Sequence, residues 1–180
     1  MTTWIALLRG VNVGGNNRLP MRDLAALLEA EGARDVRTVI GSGNAVFAAD
    51  AGDGRDLAAR IGRAIGERHG FTPHVLLLAA SGLRRAVGAN PFPEAEAEPA
   101  SLHLLFLDVP PPAPDLAGLE AARGATERFV LDGAVLYLHL PDGLGRSKLG
   151  LKAERLLGVP ATARNWNTVT RLAALADERG

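Results

Sequence analysis

The sequence contains no cysteine, which excludes disulfide bonds, thiol catalysis and the common zinc ligand sets. Aromatic residues make up only 4% of the chain, which weakens the case for an RNA-binding sheet of the kind that stacks bases on exposed aromatic rings. The formal net charge is zero, so any contact with nucleic acid would depend on a local basic patch. No hydrophobic run approaches the length of a transmembrane segment.

The remaining composition, 47% hydrophobic and 22% charged, is that of an ordinary globular protein. A length of 180 residues suits one domain or two small ones that share a core. Residues 1–3 lead straight into an apolar run without a basic start or a cleavage-like site. We therefore expect a soluble, cytoplasmic protein with no targeting segment and no membrane association.

The first half of the chain has the periodicity of a βαββαβ unit. An apolar run at 4–10 ends in glycine and predicts a central strand, and helical spacing follows between Pro20 and Gly32. The glycines of the Gly41-Ser42-Gly43 triplet predict a tight hairpin between two short strands. A second helix ends near Gly70. The predicted strands lie near 3–9, 36–40, 44–48 and 74–79.

The second half repeats this order of elements with little shared sequence. The Asp132-Gly133 pair is the strongest short hairpin signal in the chain. Strands are predicted near 102–107, 127–131 and 134–140, with a short extended piece at 159–164 before a closing helix. We predict an α+β fold of two tandem ferredoxin-like (βαββαβ) units with an additional C-terminal helix. The expected boundaries are 1–80 for the first unit, 81–100 for a connecting helix and linker, and 101–180 for the second unit with the closing helix.

Four stretches carry a resemblance to a known family: LRGVNVGG (8–15), GSGNAVF (41–47), GLGRSKL (143–149) and ARNWNTV (163–169). Together with NPFP (90–93) they resemble the domain-of-unknown-function 1697 family of bacterial proteins, in the expected order and over essentially the whole chain. One position departs from the pattern, because Gly41 stands where the family usually has a larger polar residue. The resemblance implies a compact α/β protein built from ferredoxin-like units and implies no established activity.

The glycine- and asparagine-rich loop after the first strand has two interpretations. Gly10 and Gly15 have the spacing of a phosphate-binding P-loop, but asparagines follow where a P-loop requires Lys and Ser or Thr. The loop is then either a turn with positive φ angles or a loop that binds an anion or a polar ligand. In a βαββαβ unit the first strand ends at the same edge of the sheet as the hairpin between the second and third strands. We therefore expect a shared surface that presents Arg9, Asn12, Asn16, Ser42 and Asn44, with Arg18 adding charge.

The second candidate site is the GLGRSKL stretch. Flexible glycines precede Arg146, Ser147 and Lys148 at a predicted helix start, where free N–H groups and the helix dipole favour an anion. The alternative is a solvated basic pair at the surface.

The ARNWNTV stretch places Arg164, Asn165 and Asn167 around Trp166. Either asparagine suits the N-cap of the last helix, and the tryptophan fills a core or stacks on a ligand ring. From the topology we predict that Arg146, Lys148 and Arg164 converge on one anion site.

Catalytic chemistry has little support in the sequence. The four histidines lack metal-ligand spacing, no GxSxG motif is present, and neither a metal nor a cofactor is indicated. The leading hypothesis is a protein that binds an anionic or phosphorylated small molecule, or nucleic acid, through these loops. One alternative is an enzyme that stabilises a phosphoryl or carboxylate substrate with Lys148 or Arg164, its catalytic residues unknown. Another is a structural interaction module. The oligomeric state stays open.

Overall fold

A computed structural model describes residues 1–39 and 41–179. Within these residues the first βαββαβ unit comprises β1 (Thr2–Arg9), α1 (Met21–Ala30), β2 (Arg34–Val39), β3 (Asn44–Ala49), α2 (Arg55–His69) and β4 (His74–Ala79). After α3 (Ala80–Gly88), the second unit comprises β5 (Leu102–Leu107), α4 (Leu116–Ala122), β6 (Arg128–Asp132), β7 (Val135–His139), α5 (Lys148–Leu157) and β8 (Ala161–Asn165). The chain then forms α6 (Trp166–Asp177).

Each unit contains a four-stranded antiparallel sheet. The strand orders are β2-β3-β1-β4 and β6-β7-β5-β8, so the first strand of each unit lies at the centre. Ile5 pairs with Val46 on one side and with Leu78 on the other. The predicted fold of two tandem ferredoxin-like units is confirmed, and the predicted strand bounds agree to within two residues, although residue 40 of the predicted 36–40 strand lies outside the described residues.

Contacts between Cα atoms divide the chain into two units. One contains Met1–Arg85 and the chain from Arg171 onward, and the other contains Ala86–Thr170. Helix α6 thus begins in the second unit and ends in the first. The predicted domain boundaries are different limits: 1–80 for the first unit, 81–100 for the connecting segment and 101–180 for the second unit. They stay a prediction.

The core of the first unit lies between its sheet and its two helices. Alternate residues of β1, including Trp4 and Leu8, pack with Phe47 of β3 against Leu28 of α1 and Ile61 of α2. This alternation is expected for a strand with one face toward the helices, since successive side chains point to opposite faces. Burying each such large apolar side chain contributes about 1.5–3 kcal/mol.

The core of the second unit is built in the same way. Leu105 of β5 and Leu138 of β7 are buried with Leu119 of α4 and Leu149 and Ala153 of α5. Helix α5 ends at Gly158, whose φ of 72° is a left-handed C-cap. The sheet of this unit therefore has α4 and α5 on one face.

The segment between α3 and β5 is ordered through local contacts. It forms two short 3₁₀ turns, Pro93–Ala97 and Pro99–Ser101. Phe92 is buried, and the guanidinium of Arg128 lies 4.5 Å from the centroid of its ring. Glu94 forms an ion pair with the same arginine. Within the second unit, these contacts hold the segment against β6.

Tyr137 projects from β7 on the face opposite Leu136 and Leu138, and it is 1% exposed. Its hydroxyl donates a hydrogen bond of 2.7 Å to the carbonyl of Ala86 in α3. Burial raises the pKa of the Tyr137 phenol to about 12, because the charged form would lose its hydration.

This pKa predicts a distinct alkaline titration. Tyr137 is the only tyrosine of the chain, so phenolate absorbance reports it directly. We expect the native protein to ionise near pH 12, whereas the urea-unfolded chain ionises near the ordinary value of about 10. Since the folded phenol stays neutral while the unfolded one loses its proton, stability is unaffected below about pH 10 and falls as the pH rises toward 12. Ionisation of the native protein near pH 10 would contradict the buried hydrogen bond.

Candidate functional site

The glycine- and asparagine-rich loop is a miniature hairpin. Val13 and Asn16 form an isolated bridge, and Gly14 and Gly15 between them have φ angles of 58° and 78°. The N–H of Asn16 donates to the carbonyl of Val13 over 3.0 Å. Two positive φ angles in a two-residue turn define the I′ type, for which adjacent glycines are well suited. The loop therefore turns the chain with an ordered backbone.

The side chain of Asn12 ties this loop to its surroundings. Its Nδ2 donates to the carbonyl of Leu19 over 2.9 Å and to the carbonyl of Gly41 over 2.5 Å. Its Oδ1 accepts from the N–H of Leu19 over 2.8 Å. The bond to Gly41 confirms the predicted proximity of the loop and the β2–β3 hairpin. It uses a backbone carbonyl, so it does not need the larger side chain usual at position 41.

The side chain of Asn44 also forms hydrogen bonds within the fold. It is fully buried, and its Nδ2 donates to the carbonyl of Val39 over 3.3 Å and to the hydroxyl of Ser42 over 3.0 Å. Two of the five predicted ligand-binding side chains of this edge, Asn12 and Asn44, thus make backbone-directed bonds that shape the loops. Arg9, Asn16 and Ser42 are exposed, and a ligand contact by them stays a prediction.

The GLGRSKL stretch forms the start of α5. The helix begins at Lys148, three residues after Gly145, because Ser147 is the N-cap: its Oγ accepts from the N–H of Gly150 over 2.9 Å. Ser147 is 1% exposed, which buries its hydroxyl in this cap. Arg146 and Lys148, on either side of it, are exposed.

The exposed side of α5 carries more positive charge than the GLGRSKL motif alone. Lys152 and Arg155 follow Lys148 at the i+4 and i+7 positions, so the three side chains share one stripe of the helix. We call Arg146, Lys148, Lys152 and Arg155 together the basic face of α5. All four are exposed, and in the described part of the chain none of them forms an ion pair.

The sequence interpretation missed Lys152 and Arg155 because it considered only the GLGRSKL motif and not the rest of the predicted helix. The signal was present in the i, i+4, i+7 spacing from Lys148. Leu151, between Lys148 and Lys152, is 71% exposed, which adds an apolar side chain to the same region.

Arg164 lies in a different environment. It follows Ala163, which packs against the core on the helix-bearing face, so the alternation of β8 places Arg164 on the other face of the sheet. Burial lowers the pKa of Arg164 to about 10, and its Nη1 donates to the carbonyl of Ala163 over 2.8 Å. The structure brings Arg146 and Lys148 together at the start of α5. An anion site that they share with Arg164 stays a prediction.

The ARNWNTV stretch forms the junction of β8 and α6. Asn165 is the N-cap of α6, since its Oδ1 accepts from the N–H of Thr168 over 3.0 Å. Trp166 is 5% exposed and serves as a core residue, while Asn167 is exposed. The capping role predicted for one of the two asparagines is confirmed for Asn165.

Within residues 1–39 and 41–179, no three His, Cys, Asp or Glu side chains are grouped so that they could hold a metal ion. His103 is 9% exposed, and burial lowers the pKa of its imidazole. In the same described ranges, none of the helices combines the length and hydrophobicity needed to span a membrane.

These observations define a tandem ferredoxin-like α+β protein with a basic face on α5. The family model described as "Protein of unknown function (DUF1697)" matches residues 1–137, and the chain belongs to this family. No curated protein matches the chain. Among solved structures, the chain is similar to a conserved bacterial protein from Streptococcus pneumoniae. The two share 20% identity with a TM-score of 0.70, over 97% of this chain and 98% of the other.

Proposed function

We propose that the protein binds the phosphate backbone of a nucleic acid through the basic face of α5. The observation that carries this proposal is the concentration of four exposed cations, none of them ion-paired within the described residues, in a chain with a formal net charge of zero. Like charges repel one another unless an anion compensates them, so such a face favours an anionic partner.

The length of the face favours a linear polyanion over a single small anion. Lys148 and Lys152 are one helical turn apart, and Arg155 extends the stripe to about 10 Å along the helix axis. A single phosphate group would contact only one end of that stripe. A nucleic-acid strand presents successive phosphates and can engage several of these side chains at once.

The mode of recognition follows from the composition of the chain. With an aromatic content of 4%, the protein has few side chains on which bases could stack. Lysine and arginine contacts to phosphates fix position without reading sequence. We therefore expect weak sequence preference and strong dependence on salt.

The test is the binding of a fluorescently labelled single-stranded oligonucleotide, measured by anisotropy at several salt concentrations. Four phosphate contacts predict a slope of log K against log salt of about −3 for the wild type. K152Q/R155Q removes two cations and should reduce the slope to about −1.5, with at least about tenfold weaker binding at low salt.

The matched control is R63Q/R68Q, which removes two exposed arginines from α2 and gives the same net charge. We expect its binding to remain close to that of the wild type. Equal losses in the two double variants would show that net charge, and not the face of α5, attracts the oligonucleotide. Salt-independent binding would also overturn the proposal.

A further inference from the structure

A polar cavity of about 500 Å³ lies in the first unit, at the edge of the sheet formed by β2. This volume is in the range of about 300–1,000 Å³ that is usual for sites of small molecules. Its lining includes Thr3 of β1, Ala48 of β3 and four charged residues, which are Asp35, Arg37, Glu178 and Arg179.

A strained position in β2 forms part of the cavity. The pairing of β2 with β3 shifts register between Arg34 and Arg37, and Asp35 within this bulge has a φ of 51°. The left-handed region is unfavourable for a non-glycine residue, and β-bulges often redirect side chains next to functional sites. The bulge thus places the carboxylate of Asp35 at the cavity and not in the regular alternation of the strand.

The guanidinium of Arg179 lacks a complete set of partners. Its Nε is buried and has no hydrogen-bond acceptor among the described residues. A buried donor without an acceptor destabilises the fold, and an acceptor from a bound molecule would relieve this. The neighbouring guanidinium of Arg37 is already engaged, since its Nη1 lies 2.6 Å from Glu178 Oε2.

The charges around the cavity are coupled. Burial lowers the pKa of Arg179, the carboxylate of Asp35 acts to raise it, and the cation of Arg37 lowers it further. Arg179 and Asp35 therefore lie within electrostatic range of each other. The side-chain charges of Asp35, Arg37, Glu178 and Arg179 sum to zero. The N-terminal ammonium of Met1, another lining residue, is paired with Asp50 over 3.0 Å, so a ligand without net charge leaves the cavity balanced.

We infer that this cavity binds a small zwitterion of the α-amino-acid class, with its carboxylate on Arg179 and its ammonium group on Asp35. A guanidinium holds a carboxylate through charge-assisted bonds with defined geometry. The ammonium group of the ligand gives the carboxylate of Asp35 a cationic partner. This site belongs to the first unit and does not depend on the nucleic-acid proposal, which concerns the second.

The experiment titrates the full chain with individual L-amino acids by calorimetry, after a thermal-shift screen of the same compounds. We expect at least one amino acid to bind. Its carboxylate-free amine and its amine-free carboxylic acid should each bind at least about tenfold more weakly. D35N and R179Q should each weaken binding by at least about tenfold, and asparagine tolerates the left-handed conformation of position 35.

The matched control is R171Q, which removes one exposed arginine of α6 outside the cavity. Its affinity for the amino acid should equal that of the wild type. The inference is overturned if no amino acid binds, if R171Q weakens binding as much as R179Q, or if the simple carboxylic acid binds as tightly as the amino acid.

Discussion

Replacing Gly43 with alanine is expected to destabilise the protein by about 3 kcal/mol. Gly43 has a φ of 78°, and a Cβ atom added there would lie 2.8 Å from Cβ of Leu8 and 3.4 Å from its carbonyl oxygen. The left-handed conformation costs an alanine about 1–2 kcal/mol, and the clash adds about 1–3 kcal/mol because β1 cannot move away. Leu8 is held in place by a hydrogen bond of 2.8 Å from its N–H to the carbonyl of Gly43.

The control for this prediction is Gly14→Ala. Gly14 also has a positive φ, of 58°, but nothing lies within 4 Å of an added Cβ atom. Gly14→Ala should therefore lower the free energy of unfolding only by the cost of the left-handed conformation, about 1 kcal/mol. Urea unfolding followed by tryptophan fluorescence measures both variants, with Trp4 reporting on the first unit. An equal loss of stability in the two variants would show that the chain can move Leu8 away from the added Cβ atom without cost in free energy.

The fold was predictable because its signals are local. Each signal depends on neighbouring residues alone: the apolar runs, the Asp132-Gly133 hairpin turn, and the glycines that follow α1 and α2, which are Gly32 and Gly70. The order βαββαβ then leaves few topologies, and the antiparallel arrangement of ferredoxin-like units is one of them. The motifs that carried the family resemblance mark further local features, among them the Gly14-Gly15 turn and the start of α5.

The candidate sites were less predictable because a side chain's role depends on what lies across space. Asn12 and Asn44 look like ligand-binding amides in the sequence, yet both donate to backbone carbonyls that the fold brings to them. The face of the sheet on which Arg164 lies followed from strand alternation only once the bounds and the register of β8 were known. The bulge at Asp35 has no local signal, since it arises from the pairing of β2 with β3.

Substitution of Asn12 therefore distinguishes a structural role of the glycine- and asparagine-rich loop from a ligand-binding role. Asn12→Ala removes three side-chain hydrogen bonds, two to Leu19 and one to Gly41, each contributing about 1 kcal/mol when the partner loses its bond. Its φ of 55° adds about 1 kcal/mol, because alanine tolerates this conformation less well than asparagine. Since the loop is exposed and water replaces part of these bonds, we expect a total loss of about 2–3 kcal/mol.

Two further variants separate these contributions. Asn12→Gly keeps the backbone conformation and loses only the side-chain bonds, so it should be about 1 kcal/mol more stable than Asn12→Ala. Asn16→Ala alters an exposed side chain of the same loop and should change stability by less than about 0.5 kcal/mol. Urea unfolding without any added ligand measures all three. If Asn12→Ala were as neutral as Asn16→Ala, the bonds to Leu19 and Gly41 would not hold the loop, and the amide of Asn12 would be available for a ligand. A large loss of stability confined to the Asn12 variants would instead mean that this amide holds the loop that lies between Arg9 and Arg18.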